Sequence, residues 1–385
     1  MRRVAFSLAG VLLTLLFVEG VAFVAIRFLQ SKHLAYRTPV AVEGGMVDSF
    51  AQYRELRDPE LGWPFPSRYG SASLASDGSR PDPAYPRVEE HPPCLAAFGD
   101  SYTAAAEVDD AHAWSAVLSQ RLGCRVANHG QGGYGSDQAY LRYRRQQGSL
   151  PRVVVLGHLT ENVIRNVMRC RDLYSHQRHY GFKPRFVLDA AGGLELLPMP
   201  ALASEHEYER LVGLATPPLE LPHEYFLPDG PVNPVVDRPP FTLALLRNRR
   251  HFALRARLRG EPAYASFYDP AHPAGGLAIT SAILERFARE ARESGREPIV
   301  IVFVGVDELA YHARTGRFAY QPLRDRLAAA GVDAIDMGPI LLAHVGEGDP
   351  SPLYTGGHYS ELGNRLVADA IEARLAERGL LPRAR

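Results

Sequence analysis

Apolar residues follow three different patterns along the chain. From Val4 to Ile26 they are nearly continuous, and Glu19 is the only charged residue in that run. Residues 33–93 contain many prolines and no long helical period, which predicts a stalk or an irregular surface segment. From residue 94 onward, short apolar runs alternate with amphipathic segments, and this alternation predicts strands separated by helices.

The first apolar run is long enough to cross a membrane. As a helix it would span roughly 35 Å at ~1.5 Å per residue, against a hydrocarbon core of ~30 Å. Arg2 and Arg3 precede it, which favours a cytoplasmic N-terminus and an extracytoplasmic (periplasmic or extracellular) position for everything after residue 32. A cleaved signal peptide is the competing interpretation, but its apolar core should be shorter and followed by a small-residue cleavage site. We therefore expect residues 1–32 to form a membrane anchor, a single transmembrane helix.

Residues 94–385 are expected to form one α/β domain. Strands are predicted at 94–98, 125–128, 153–156, 299–304 and 332–336, and helices at 114–122, 278–294 and 360–379. Strands separated by helices build a parallel sheet that is covered on both faces. Residues of about 165–275 break this pattern with many prolines and no clean period, so we expect an insertion there.

Composition and charge exclude several classes of function. The 43 Lys and Arg residues balance 43 Asp and Glu residues, so the chain lacks the cationic excess that nucleic-acid binding requires. Three cysteines cannot form the disulfide framework of a small secreted domain, although they allow one bridge. His176 and His179 have no carboxylate or cysteine pattern that would complete a metal site, and the glycine spacings match no nucleotide-binding motif. We expect no metal, no cofactor and no nucleic-acid partner.

Four loop positions carry residues suited to nucleophilic catalysis. Ser101 follows the first strand in a Gly-Asp-Ser block, and Gly133 lies in a glycine-rich loop after the second. Asn162 follows the third strand, and His358 precedes the last helix. Each residue alone is ambiguous, because residues of these types also cap helices and form turns. Together they supply a nucleophile, a base to accept its proton and hydrogen-bond donors for an oxyanion.

With these blocks in this order, the chain resembles the SGNH hydrolases, also called the GDSL esterase/lipase family. The resemblance covers roughly residues 94–160 and 298–378. It implies a flavodoxin-like three-layer α/β/α sandwich with a mostly parallel five-stranded sheet. It also implies that Ser101 is the nucleophile and His358 the base. The amides of Ser101 and Gly133 and the side chain of Asn162 would then be the oxyanion donors.

The chain departs from the family where the orienting acid is expected. The family usually has aspartate three residues before the histidine, and this chain has Thr355 there. The family's asparagine is usually followed by aspartate, and here Val163 follows. Thr355, a backbone carbonyl, or Asp349 from the preceding loop are the alternatives for holding His358.

The sequence thus predicts a membrane-anchored, extracytoplasmic serine hydrolase. Its substrate would be an acyl or acetyl ester of a small molecule, a glycan or a lipid, cleaved through an acyl-enzyme on Ser101. An O-acyltransferase that modifies an envelope or exported polysaccharide would use the same acyl-enzyme. A non-catalytic binding protein that keeps the fold is a third alternative, because a fold does not determine a function.

Overall fold

The computed structural model describes residues 2–42, 47–64, 68–69, 72–346 and 348–382. Its helices are α1 Arg2–Ser31, α2 Phe50–Leu56, α3 Ser101–Ala104, α4 Trp114–Leu122, α5 Ser136–Gln146, α6 Asn162–Arg165, α7 Asp172–Ser175, α8 Glu205–Leu211, α9 Phe241–Asn248, α10 Phe252–Arg259, α11 Gly276–Glu293, α12 Val306–Thr315, α13 Gln321–Ala329, α14 Met337–Val345 and α15 Glu361–Glu377. Its strands are β1 Val40–Ala41, β2 Arg57–Asp58, β3 Gly62–Pro64, β4 Arg68–Tyr69, β5 Ala72–Ser73, β6 Leu95–Gly99, β7 Val126–Gly130, β8 Val153–Leu159, β9 Gln177–Arg178, β10 Arg185–Leu188, β11 Leu194–Leu197, β12 Glu297–Phe303, β13 Ala334–Asp336, β14 Tyr354–Thr355 and β15 His358–Tyr359.

The chain folds into two compact units. The α1 unit comprises Met1–Leu56, Met168–Phe182 and Pro200–Ala263. The sheet unit comprises Arg57–Val167, Lys183–Met199 and Tyr264–Arg385. Residues 33–93, predicted as a proline-rich stalk, and residues 165–275, predicted as an insertion, are therefore each divided between the two units.

The sheet unit is built on a five-stranded parallel sheet. The strand order is β13-β12-β8-β6-β7, and each of the five strands predicted from the sequence overlaps one of these strands. Every residue of β6, β7 and β8 is buried, as expected for a parallel sheet that is covered on both faces. Helices α5 and α11 pack together on one face, and α4, α14 and α15 pack on the other. The three-layer α/β/α sandwich predicted from the sequence is confirmed.

The strand order brings three loops together at one edge of this sheet. Gly99 at the end of β6 is paired with Gly130 at the end of β7, and Phe98 is paired with Leu156 of β8. Because the strands are parallel, their carboxyl ends lie at the same edge, where open α/β sheets bind ligands. The loops after β6, β7 and β8 carry the residues that the sequence analysis selected.

A disulfide bond joins the amino-terminal ends of β6 and β7, at the edge of the sheet opposite to these loops. Cys94 precedes β6, Cys124 precedes β7, and their Cα atoms are 6.0 Å apart. Cys170, in the α1 unit, is buried and unpaired. The single bridge that the cysteine count allows is therefore present.

In the α1 unit, α1 contributes Ile26, from its second half, to a buried hydrophobic cluster. Ile26 is 1% exposed and packs with Ala35, Val236 and Ala244, while α9 lies alongside α1. The residues of α1 from Leu8 to Val18 expose their large apolar side chains instead. From Leu8 to Ser31 the mean hydropathy is 2.4, so α1 has the length and composition of a membrane span or of a signal sequence.

Gly130 packs closely against the backbone that follows β6. The substitution Gly130→Ala should therefore lower the free energy of unfolding. A Cβ atom at residue 130 would overlap the backbone of Thr103 and Ala104. Overpacking of this kind costs up to about 3 kcal/mol in the free energy of unfolding. Gly132→Ala is the matched control, because Gly132 is exposed and nothing lies within 4 Å of its Cβ position. Denaturant unfolding of both variants measures the difference, and equal stabilities would contradict the close contact.

Candidate active site

Ser101 begins the short helix α3 directly after β6. The buried side chain of Asp100 caps this helix, because its Oδ1 accepts a hydrogen bond from the amide of Tyr102 at 2.9 Å. Burial raises the pKa of Asp100, and the guanidinium of Arg165, 3.6 Å from Oδ2, opposes that rise. The cap fixes the sharp turn after β6. The Ser101 residue that follows this turn is 8% exposed.

His358 lies within hydrogen-bond distance of the Ser101 hydroxyl. The Nε2 atom of His358 is 2.8 Å from Ser101 Oγ. The histidine stands on the β14–β15 hairpin, whose turn residues Gly356 and Gly357 have φ values of 55° and 88°. Tyr102 holds this turn in place, because its hydroxyl donates to the carbonyl of Gly357 at 2.9 Å and its ring centroid is 5.1 Å from that of His358.

The other ring nitrogen of His358 faces a carboxylate that the sequence analysis did not select. His358 Nδ1 is 3.2 Å from Glu107 Oε1. The two groups are close enough for an ion pair, although their angle is not that of an ordinary hydrogen bond within the described residues. A Cβ atom at Gly356 would overlap the Glu107 carboxylate, so the absence of a side chain there leaves room for it. Ser101, His358 and Glu107 therefore form a continuous line of hydroxyl, imidazole and carboxylate.

Glu107, and not Thr355 or Asp349, is the residue whose carboxylate faces His358 Nδ1 at 3.2 Å. Asp349 Oδ1 accepts hydrogen bonds from the amide of Ser351 at 2.9 Å and from its hydroxyl at 2.7 Å. This local turn satisfies the Asp349 carboxylate, which makes no ion pair with His358 among the residues that the structure describes. Thr355 is exposed and is paired with His358 across the β14–β15 hairpin. Among the residues that the structure describes, neither side chain makes a hydrogen bond or an ion pair with His358 Nδ1.

Asn162 begins α6, directly after the turn that ends β8. Its side chain is fully buried, and neither polar atom of its carboxamide makes a hydrogen bond of ordinary geometry with the described residues. A weaker interaction of the Asn162 side chain with Asp100 opposes the rise that burial causes in the pKa of that carboxyl group. A buried amide without a partner of ordinary geometry is uncommon in folded proteins.

Gly133 lies in the loop after β7, which is tied to the neighbouring loops. The amide of Gln131 donates to the carbonyl of Gly99 at 3.0 Å, and Arg165 donates to the carbonyl of Tyr134 at 3.1 Å. Gly133 itself has a φ of 83°, a conformation that residues with a Cβ atom rarely adopt. The loop is thus held at the same edge of the sheet as Ser101 and Asn162.

Glu107 could not be recognised from the sequence, because it lies 251 positions before His358. No spacing rule connects the two residues, since a β-hairpin and the loop after α3 bring them together. The signal in the sequence is Thr355. Because this chain lacks the family's usual aspartate at that position, another group has to hold His358. Glu107, Asp109 and Asp110 are the acidic residues that follow Ser101 on the same loop, and Glu107 is the nearest of these to Ser101 in sequence.

Comparison with known proteins gives distant structural similarity. The chain matches no protein-family model and no curated protein. Similar solved structures include TesA (14% identity, 74% of this chain and 98% of that chain, TM-score 0.37). They also include a member of the lipolytic G-D-S-L family from Veillonella parvula (10% identity, 73% and 97%, TM-score 0.37). A third is the lipase/acylhydrolase from Enterococcus faecalis (12% identity, 74% and 95%, TM-score 0.37).

These structurally similar proteins include lipolytic G-D-S-L proteins, the family that the sequence resembles. Identities of 10–14% and TM-scores of 0.37 are too low to transfer an activity to this chain.

Proposed function

We propose that this protein is a membrane-anchored serine hydrolase that cleaves an ester through an acyl-enzyme on Ser101. The observation that carries the proposal is the distance of 2.8 Å between Ser101 Oγ and His358 Nε2. A serine hydroxyl is a weak nucleophile until a neighbouring base accepts its proton, and His358 is positioned to do so. The carboxylate of Glu107, 3.2 Å from Nδ1, stabilises the imidazolium that this transfer creates.

In the first half of the reaction, Ser101 Oγ attacks the carbonyl carbon of the ester while its proton moves to His358 Nε2. The carbonyl oxygen then becomes an oxyanion, which the amides of Ser101 and Gly133 and the carboxamide of Asn162 stabilise. When the tetrahedral intermediate collapses, His358 returns the proton to the departing alcohol, and the acyl group remains on Ser101.

In the second half, water attacks the carbonyl carbon of the acyl-enzyme and passes a proton to His358. The same donors stabilise the second oxyanion, and the proton returns to Ser101 as the carboxylic acid leaves. An O-acyltransferase would differ only here, because a hydroxyl of an acceptor would replace the water molecule.

Asn162→Ala should lower kcat for ester hydrolysis by roughly 10²-fold or more and leave KM within about threefold, because an oxyanion donor acts mainly on the transition state. The carboxamide makes no ordinary hydrogen bond with the described residues, so its removal should cost little stability. Steady-state kinetics with one ester, together with thermal unfolding, test this prediction. A higher KM at unchanged kcat would instead make Asn162 a substrate-binding residue.

Three features support an anchored protein with the site outside the cytoplasm. The disulfide between Cys94 and Cys124 is typical of an oxidising compartment. The 30 residues of α1 extend about 45 Å as a helix, enough to cross a bilayer, and Ile26 near its end is part of a buried cluster. Cleavage after the apolar run would remove Ile26 from that cluster. Arg2 and Arg3 at the start of α1 favour a cytoplasmic N-terminus.

The proposed activity can be tested with the full chain in detergent and a panel of nitrophenyl esters that runs from acetyl to long acyl groups. Release of both nitrophenol and free acid supports hydrolysis, and the preferred chain length identifies the acyl class. A parallel series with acetylated and unacetylated glycans detects transfer to a sugar hydroxyl, which would favour the acyltransferase. His358→Ala is the control for background hydrolysis, and equal rates in both proteins would contradict the proposal.

A further inference from the structure

The α1 unit contains a strongly basic segment in a chain whose charges otherwise balance. Residues 238–260 contain seven arginines and no acidic residue, whereas the whole protein has a net charge of +0. All seven are exposed: Arg238, Arg247, Arg249, Arg250, Arg255, Arg257 and Arg259. Such a local excess of cationic side chains indicates a surface that binds an anionic partner.

Helix α9, within this segment, lies against the apolar helix α1. Glu19 of α1 accepts a hydrogen bond from the amide of Thr242 at 3.1 Å, in the first turn of α9. The ring centroids of Phe23 and Phe241 are 5.0 Å apart, and Ile26 and Ala244 share one buried cluster. Helix α9 therefore begins beside Glu19 and runs in the same direction as the last turns of α1.

The side of α9 that does not contact α1 is apolar near its start and basic near its end. Leu243 and Leu246, one turn apart, are 43% and 55% exposed, and Phe28 of α1 is 60% exposed. Arg247 and Arg249 follow at the end of the helix. This helix has exposed leucines followed by arginines and lies beside an apolar span. Such a pattern is typical of a helix at the interface between the lipid bilayer and water.

The arginines at the end of α9 border a cavity of about 560 Å³. Its lining residues are Asp229, Leu246, Arg247, Arg249 and Arg250. Within the described part of the chain, none of these three arginines has a carboxylate within 4 Å. The Asp229 carboxylate accepts a hydrogen bond from the amide of Val235 at 3.0 Å. Guanidinium groups bind phosphate through paired hydrogen bonds, so the cavity suits a phosphate-bearing headgroup.

We propose that α9 and the arginines after it bind anionic phospholipid headgroups at the membrane surface beside α1. Leu243 and Leu246 enter the outer part of the lipid layer, and Arg247, Arg249 and Arg250 bind the phosphates above it. This inference rests on the proposed membrane anchor and is independent of the proposed chemistry at Ser101. Its consequence is that the α1 unit is held against the bilayer at a second place besides the span itself.

The test uses the full chain with Leu246→Cys, labelled with an environment-sensitive fluorophore and reconstituted into vesicles. The vesicles contain phosphatidylcholine alone or phosphatidylcholine with phosphatidylglycerol, and a nitroxide lipid near the headgroup serves as the quencher. Phosphatidylglycerol should increase the quenching by about twofold or more, and high salt should reduce that increase. Free inorganic phosphate at the same concentration should not reproduce it, which distinguishes lipid headgroups from a soluble ion.

The increase should disappear when Arg247, Arg249 and Arg250 are all replaced by glutamine. The matched control replaces Arg289, Arg317 and Arg365 by glutamine, since these are exposed arginines of the sheet unit and their loss changes the net charge equally. Equal quenching with and without phosphatidylglycerol, or equal losses in both triple variants, would overturn the proposed headgroup site. If the full chain associates with neither type of vesicle, the proposed membrane anchor is wrong and this inference fails with it. The proposed esterase activity would remain intact.

Discussion

Replacing Ser101 by alanine is expected to lower kcat/KM for ester hydrolysis by roughly 10³-fold or more, because no acyl-enzyme forms without the hydroxyl. The fold should be unaffected, since Asp100 rather than Ser101 caps α3 and the lost group is a single hydroxyl in the first turn of that helix. The measurement is steady-state hydrolysis of one nitrophenyl ester, with thermal unfolding as the control for folding.

The double variant Ser101→Ala/His358→Ala makes this experiment more specific. If the two residues act as one unit across their contact of 2.8 Å, the double variant should be about as slow as either single variant. If the rate loss of the double variant is instead the product of the losses in the two single variants, His358 acts independently of Ser101. Full activity in Ser101→Ala would place the nucleophile elsewhere.

Glu107→Gln is expected to lower kcat by roughly 10²- to 10⁴-fold with little change in KM, by analogy with neutralising the carboxylate of a serine protease triad. Glutamine keeps the size of the side chain but loses the charge that stabilises imidazolium at His358. Because the Glu107 side chain is 39% exposed, water screens part of this interaction, and the lower end of the range is more consistent with the geometry.

Asp349→Asn is the matched control for Glu107→Gln, since it neutralises the carboxylate that the sequence had suggested. Its expected effect on kcat is within about threefold, because Asp349 is bonded to Ser351 within its own turn. Glu107→Asp should restore part of the activity, which a purely structural role of the side chain would not predict. A collapse of activity in Asp349→Asn together with near-normal Glu107→Gln would show that Glu107 is not the orienting acid.

The sequence was sufficient to predict the sheet and to propose most residues of the candidate site. Continuous apolar runs are typical of strands buried on both faces, and each predicted run overlaps a strand of the parallel sheet. Ser101 and Asn162 could be placed because their loops follow such strands directly. His358 could be placed because a glycine-bearing loop precedes the amphipathic helix α15.

The features that escaped prediction depend on tertiary contacts. Glu107 meets His358 only through the folding of two loops that are far apart in sequence. Helices α9 and α10 showed no clean apolar period because buried positions in them include Ala244, Asn248 and Ala256, which are small or polar. The α1 unit combines three segments that are separate in sequence, and only tertiary contacts bring them together.

The most direct test of the central claim is to label the full chain with a fluorophosphonate and to map the adduct by mass spectrometry. A fluorophosphonate reacts with a serine that a neighbouring base activates, so it reports on the pair formed by Ser101 and His358 without knowledge of the natural substrate. We expect one adduct per chain, on the peptide that contains Ser101, and its loss in His358→Ala. An adduct on a different serine, or an unlabelled Ser101 in a preparation that hydrolyses esters, would contradict the proposed mechanism.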